Sequence, residues 1–118
     1  MSSARLKGEL NQWGLTEKDC KIIKNVLSKN TRITRAVLFG SRTTGTFGRA
    51  SDIDLSLEGE NLDLTDLAFL RGEFAESSLP FEVDLVIRAD IANPALEKHI
   101  EQCGITFYEE SSTKRKTP

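Results

Sequence analysis

The sequence predicts an α/β (α+β) fold in which helices pack on one face of a mixed β-sheet. Two observations predict it. Segments with apolar residues at helical spacing alternate with short strand-like segments, and 118 residues suffice for only one core. We therefore expect one domain over residues 1–108, followed by a disordered tail at 109–118 that carries no apolar anchor.

Two helices are predicted before the first strand. One helical face near the N-terminus holds three apolar side chains, those of Leu6, Leu10 and Trp13. This spacing predicts an N-terminal helical extension within residues 1–15. Thr16 then offers an N-cap oxygen, and Asp19 completes a capping box three positions later, which predicts a second helix ending near Asn30.

The first two strands flank a loop of small residues. Residues 36–39 form a continuous apolar run, which predicts a strand covered on both faces. Residues 40–51 are small, polar and rich in glycine, and they predict a turn that contains one helical turn. Residues 52–57 alternate between polar and apolar side chains, so they predict a second strand.

The second half of the chain continues the alternation of helices and strands. Asp63 is a suitable cap for a third helix, which ends before Pro80. A third strand is predicted at residues 81–87. A last helix is expected over 94–103, and a brief final strand at 105–108.

Charge and cysteine content exclude several classes of protein. The formal net charge is −2, yet residues 1–50 carry ten basic and three acidic residues whereas residues 51–110 carry three and fifteen. We do not expect strong nucleic-acid binding from this balance. No apolar run is long enough for a membrane span, so a cytoplasmic protein is expected. Cys20 and Cys103 are too few for a disulfide framework or a zinc site.

Acidic side chains gather on the second and third predicted strands. Asp52 and Asp54 point to one side of their strand because side chains alternate, and Asp84 joins them if the neighbouring strand pairs alongside. Carboxylates gathered in this way repel one another, and a divalent cation relieves the repulsion. Oxygen ligands favour Mg²⁺ or Mn²⁺, and three acids can hold two ions. A solvated polar strand face is the alternative, and His99, which aligns with neither acid motif, is expected in a packing or solvent role.

The loop after the first strand is suited to an anion. Gly40 and Ser41 offer backbone N–H groups and a hydroxyl that can receive a phosphate, and Arg42 and Arg49 add positive charge. Thr46 stands where a P-loop requires lysine, and no Gly-x-Gly-x-x-Gly motif is present. P-loop and Rossmann nucleotide sites are therefore excluded.

The order of these motifs resembles a known signature. Gly40-Ser41-Arg42, then Asp52-Ile53-Asp54-Leu55, and later Val83-Asp84-Leu85 are similar to the DNA polymerase β-like nucleotidyltransferase superfamily. More narrowly, the chain resembles the minimal nucleotidyltransferases (MNT) of the two-component MNT/HEPN type. The resemblance covers about residues 16–108 and implies the polymerase β-like nucleotidyltransferase fold.

The resemblance also implies a reaction. A nucleoside monophosphate, AMP from ATP, would be transferred to a hydroxyl acceptor with release of pyrophosphate. Gly40 and Ser41 would hold the β- and γ-phosphates, with Arg42 assisting. This agrees with the suitability of the loop for an anion.

The three aspartates take metal-binding and catalytic roles by the same resemblance. Asp52 and Asp54 would ligate two Mg²⁺ ions, for which Mn²⁺ is a substitute. Asp84 would ligate the catalytic ion and help to deprotonate the acceptor. These roles agree with the cation expected from the clustering of the carboxylates.

The short C-terminal part suggests a separate acceptor. Larger members of the superfamily carry a helical domain that binds the acceptor, and this chain ends about ten residues after its last predicted strand. The resemblance implies a helical HEPN-type protein partner, either a substrate-binding subunit or a toxin, in a homodimer or heterotetramer. Two other functions stay open: a non-catalytic antitoxin that neutralises its partner by occlusion, and a nucleotidyltransferase acting on a small molecule.

Overall fold

The computed structural model describes residues 9–48 and 50–110. These residues form an α+β domain built on a four-stranded sheet. The strands are β1 (Ile33–Phe39), β2 (Ile53–Gly59), β3 (Val83–Ile87) and β4 (Ile105–Glu109). The helices are α1 (Glu17–Ser28), α2 (Ser41–Thr44), α3 (Leu64–Glu76) and α4 (Pro94–Cys103), with a 3₁₀ turn at Arg88–Asp90.

The predicted mixed sheet is confirmed. The strand order is β3-β2-β1-β4, with β1 antiparallel to both of its neighbours and β2 parallel to β3. Asp54 on β2 lies opposite Phe39 on β1 and opposite Asp84 on β3. The register therefore brings the acid motifs of β2 and β3 to the same level of the sheet.

The helices lie on both faces of the sheet, whereas the sequence predicted helices on one face only. The element that differs is α4. Helices α1 and α3 pack on the apolar side chains of one face, and together they form the main core. Helix α4 lies on the opposite face, where its Ile100 packs against Val37 and Phe39. Since β1 is apolar on both faces, its second face requires a cover of its own.

The helix boundaries follow from side-chain caps. Thr16 and Asp19 form the predicted capping box at the start of α1. Asp63 begins α3 in the same way with Asp66, and Asn93 caps α4. None of the helices in the described part of the chain is long and apolar enough to cross a membrane.

The two ends of the domain differ from prediction. Residues 9–15 contain a turn at residues 12–13 and not the predicted helix, because the Asn11 side chain accepts hydrogen bonds from the backbone N–H groups of Trp13 and Leu15. Glu109, assigned to a disordered tail, belongs to β4. The rest of both predicted ends, including Leu6 and residues 111–118, lies outside the described residues.

Candidate active site

The three predicted carboxylates come from two adjacent strands. Asp54 and Asp84 are direct partners in the parallel register of β2 and β3, and Asp52 lies just before β2. The face that they share with Ser56 is opposite the main core. Asp52 and Asp84 are exposed, whereas Asp54 is half-buried.

These carboxylates form an unpaired negative cluster. Within residues 9–48 and 50–110, the carboxylate groups of Asp52, Asp54 and Asp84 make no hydrogen bond or salt bridge. Burial raises the pKa of Asp54, and the charges of Asp84 and then Asp52 raise it further. The positive charge of Arg42 opposes this rise in the pKa without cancelling it.

The donor chemistry of the cluster fits a hard divalent cation. Carboxylate oxygens without histidine or cysteine suit Mg²⁺ or Mn²⁺. In their present positions, however, no three acidic, histidine or cysteine side chains of the described residues are grouped closely enough to hold a metal ion. The strands bring the donors together, and the side chains do not form a closed coordination sphere.

The predicted phosphate loop lies directly against Asp54. Gly40 leaves β1 with φ +84° and ψ −154°, a backbone conformation that is strongly unfavourable for residues with a side chain. A Cβ atom at this position would lie 2.3 Å from Asp54 Oδ2. Ser41 follows at the start of α2, and its hydroxyl makes no hydrogen bond within the described part of the chain. Glycine thus allows the loop to approach the carboxylate.

Arg42, which was expected to assist at the phosphates, has a buried side chain. It is 2% exposed and faces the backbone of neighbouring segments. The guanidinium donates to four backbone carbonyls, those of Trp13 (2.8 Å), Gly14 (3.4 Å), Ser51 (2.6 Å) and Asp52 (3.3 Å). Phe81 and Phe47 cover it, with ring centroids 4.5 and 5.3 Å from Cζ. Arg42 therefore ties the N-terminal turn to the segment that presents Asp52.

His99 is the neighbour of the site that the sequence pattern missed. Its Nε2 atom accepts a hydrogen bond from the Gly40 N–H at 3.0 Å. The imidazole also contacts the Phe39 ring edge to face, with centroids 6.0 Å apart. No local signal could reveal this contact, because it depends on α4 lying on the carboxylate face of the sheet.

A cleft of about 550 Å³ opens beside the third carboxylate. It lies between α3 and the start of β3, and Asp84, Glu82, Phe81 and Arg71 are among the residues that line it. Space for a substrate is therefore available at the edge of the acidic cluster.

Comparison with known proteins gives a family and a relative. The family described as polymerase beta, nucleotidyltransferase matches residues 21–113. A probable protein adenylyltransferase, MntA, from Haemophilus influenzae is 33% identical over 76 residues, which cover 64% of this chain and 67% of that protein.

Solved structures show the same fold. A toxin–antitoxin complex with AMP-PNP contains a chain that matches with a TM-score of 0.64 at 28% identity, over 81% of this chain and 77% of that chain. A complex of tri-AMPylated Shewanella oneidensis HEPN toxin with MNT antitoxin matches with a TM-score of 0.56 at 24% identity, over 82% and 74% of the two chains. At 24% identity, the likeness to the Shewanella oneidensis complex concerns the fold alone.

Proposed function

The chain belongs to the polymerase β nucleotidyltransferase family, and on that basis we propose that it transfers AMP from ATP to a hydroxyl group of a HEPN-type protein partner. In this role it is the MNT antitoxin or the catalytic subunit of the pair. The observation that carries the proposal is the contact of the Gly40 loop with Asp54, which itself lies opposite Asp84. A loop for phosphates and a cluster of carboxylates meet there.

The acidic residues divide the work of the transfer. Asp52 and Asp54 would hold Mg²⁺, with Asp84 as a further ligand, and a bound Mg²⁺ would supply positive charge that stabilises the transferring phosphoryl group. Asp84 also accepts the proton of the acceptor hydroxyl. The acceptor oxygen then bonds to the α-phosphorus, the bond from that phosphorus to the bridging oxygen breaks, and pyrophosphate leaves with the electron pair.

The loop residues hold the leaving group. Ser41 offers a hydroxyl that no described residue engages, and the absent side chain of Gly40 lets the triphosphate approach Asp54. Arg42 supports this geometry through hydrogen bonds to the backbone carbonyls of Ser51 and Asp52. Positioning and charge neutralisation are the main contributions that proteins make to phosphoryl transfer.

Two comparisons support the partner and the nucleotide. The Haemophilus influenzae relative is named a probable protein adenylyltransferase, and the solved complex at 28% identity is a toxin–antitoxin pair with AMP-PNP. The cleft that Asp84 lines is where we propose that the hydroxyl of a protein acceptor approaches this carboxylate.

The decisive experiment separates catalysis from simple occlusion of the partner. The chain is purified with its partner, incubated with ATP and Mg²⁺, and the partner is weighed by mass spectrometry. We expect added adenylyl groups with the wild type and none with the double variant Asp52→Asn/Asp84→Asn. A double variant that still neutralises the partner, with no adenylyl group added by the wild type, would establish occlusion in place of chemistry.

A further inference from the structure

We infer that His99 is a positioning residue for the transfer, holding the Gly40 loop against the carboxylates through its Nε2 atom. The inference rests on the proposed function and deepens it. The hydrogen bond from the Gly40 N–H to Nε2 measures 3.0 Å and joins residues 59 positions apart in sequence. No motif of the sequence connects them.

The backbone N–H of Gly40 lies beyond the last residue pair between β1 and β4, so β4 offers it no hydrogen-bond acceptor. Pairing between β1 and β4 ends at Leu38 and Ile105, so the next amides of β1 leave the ladder on that side. The carbonyl of Gly40 already receives the N–H groups of Thr43 and Thr44 in the following turn. His99 supplies the acceptor for the amide, and both backbone groups of Gly40 are then fixed.

The histidine is itself held in place by the fold. Its neighbour Ile100 is 2% exposed and packs against Val37 and Phe39, which anchors α4 to the sheet. The Phe39 ring meets the imidazole at an interplanar angle of 74°. As Nε2 accepts a hydrogen bond, the proton of the neutral ring resides on Nδ1.

Small movements of Gly40 change the geometry of the site. The built Cβ position at Gly40 is 2.3 Å from Asp54 Oδ2, so the loop and the carboxylate share one narrow space. Gly40 also directs Ser41 into the first turn of α2. Without the acceptor on His99, the loop is free to sample conformations in which Ser41 and Asp54 no longer face one triphosphate, which weakens substrate binding.

Three variants test the role. His99→Gln places an amide oxygen near the position of Nε2 and keeps an acceptor, whereas His99→Leu removes the acceptor and keeps an apolar body. Lys98→Ala, on an exposed neighbouring position of α4, is the matched control. For each full-length protein, the KM for ATP, kcat and the midpoint of thermal unfolding are measured in the presence of the partner.

We expect His99→Leu to raise the KM for ATP by roughly 3- to 10-fold, the range for loss of one hydrogen bond, with a smaller change in kcat. We expect His99→Gln to restore KM to within about twofold and Lys98→Ala to leave it unchanged. Equal losses in His99→Gln and His99→Leu, matched by equal drops in thermal stability, would overturn the inference in favour of a purely structural role.

A measurement without nucleotide separates this inference from the proposed function. In the full chain, hydrogen exchange at the Gly40 amide is followed by NMR, together with the through-bond coupling between its nitrogen and Nε2. We expect the coupling in the wild type and exchange about tenfold faster in His99→Leu. If the wild type transfers no AMP but shows this coupling, the proposed function fails while the contact stands; no coupling and unchanged exchange would refute the His99 role.

Discussion

Replacing Gly40 by alanine tests the contact between the loop and the carboxylates. The new Cβ would lie 2.3 Å from Asp54 Oδ2, and the backbone would have to keep φ at +84° with ψ at −154°. Strain in this region costs about 1–3 kcal/mol, and displacement of the carboxylate adds on the order of 1 kcal/mol. We therefore expect Gly40→Ala to lower the free energy of unfolding by about 2–4 kcal/mol.

Gly45→Ala is the matched control for this substitution. Gly45 also has positive φ, +85°, but among the described residues no atom beyond its two chain neighbours lies within 4 Å of its Cβ position. We expect a loss of about 1–2 kcal/mol from backbone strain alone. Both values are measured by urea denaturation monitored by circular dichroism.

Activity distinguishes the two variants more sharply than stability. Displacing Asp54 by about 1 Å is expected to reduce AMP transfer roughly 100-fold in Gly40→Ala, whereas Gly45→Ala stays within about threefold of the wild type. Both are assayed at a temperature at which each variant is folded. Wild-type transfer by Gly40→Ala, or an equal loss in both variants, would refute the placement of Asp54 beside the phosphate loop.

Three further substitutions test other parts of the account. Arg42→Met is expected to lower the free energy of unfolding by about 3–5 kcal/mol, because four carbonyls lose a charged donor, and Arg42→Lys should recover only part of this loss. Chemical denaturation measures both variants. A loss below about 1 kcal/mol in Arg42→Met would contradict the supporting role of Arg42. Asp54→Asn should abolish transfer yet raise the midpoint of thermal unfolding without Mg²⁺, since burial, Asp84 and Asp52 raise the pKa of Asp54 and make its ionised form unfavourable at neutral pH. Added Mg²⁺ should stabilise the wild type only. An equal Mg²⁺ effect on both proteins would argue against a metal at Asp54. For Asp66, burial opposes the charged form, but hydrogen bonds from the Asp63 N–H and Asn30 together with Arg32 outweigh it and hold the pKa of Asp66 below 3.8. The ionised carboxylate therefore stabilises the fold fully at neutral pH, and this stabilisation is lost as the pH falls through the lowered pKa. Asp66→Asn should destabilise the protein at pH 7 but little at strongly acidic pH, which denaturation at several pH values checks.

The alternation of side chains in strands made the acidic cluster predictable. The pattern from Asp52 to Ser56 fixed which side chains share a face, and the pairing of the next predicted strand added Asp84 to that face. Helix starts were predictable for a similar reason, because the capping box of Thr16 and Asp19 is a local signal with a local cause.

Three features could not be predicted from local patterns. Leu10 and Trp13 have helical spacing, yet the Asn11 side chain satisfies backbone groups in a turn and competes with the helix. The partners of Arg42 are backbone carbonyls, which leave no trace in the sequence. The position of His99 depends on which face of the sheet α4 covers, and both faces of β1 are apolar.

The most direct test of the nucleotidyltransferase mechanism follows the two ends of ATP separately. The chain and its co-purified partner are incubated with Mg²⁺ and ATP labelled on either the α- or the γ-phosphate, and the proteins are separated by electrophoresis. The mechanism predicts label on the partner from the α-phosphate only, and none when Asp54→Asn replaces the wild type. Transfer of the γ-label, or undiminished transfer of the α-label by Asp54→Asn, would contradict it.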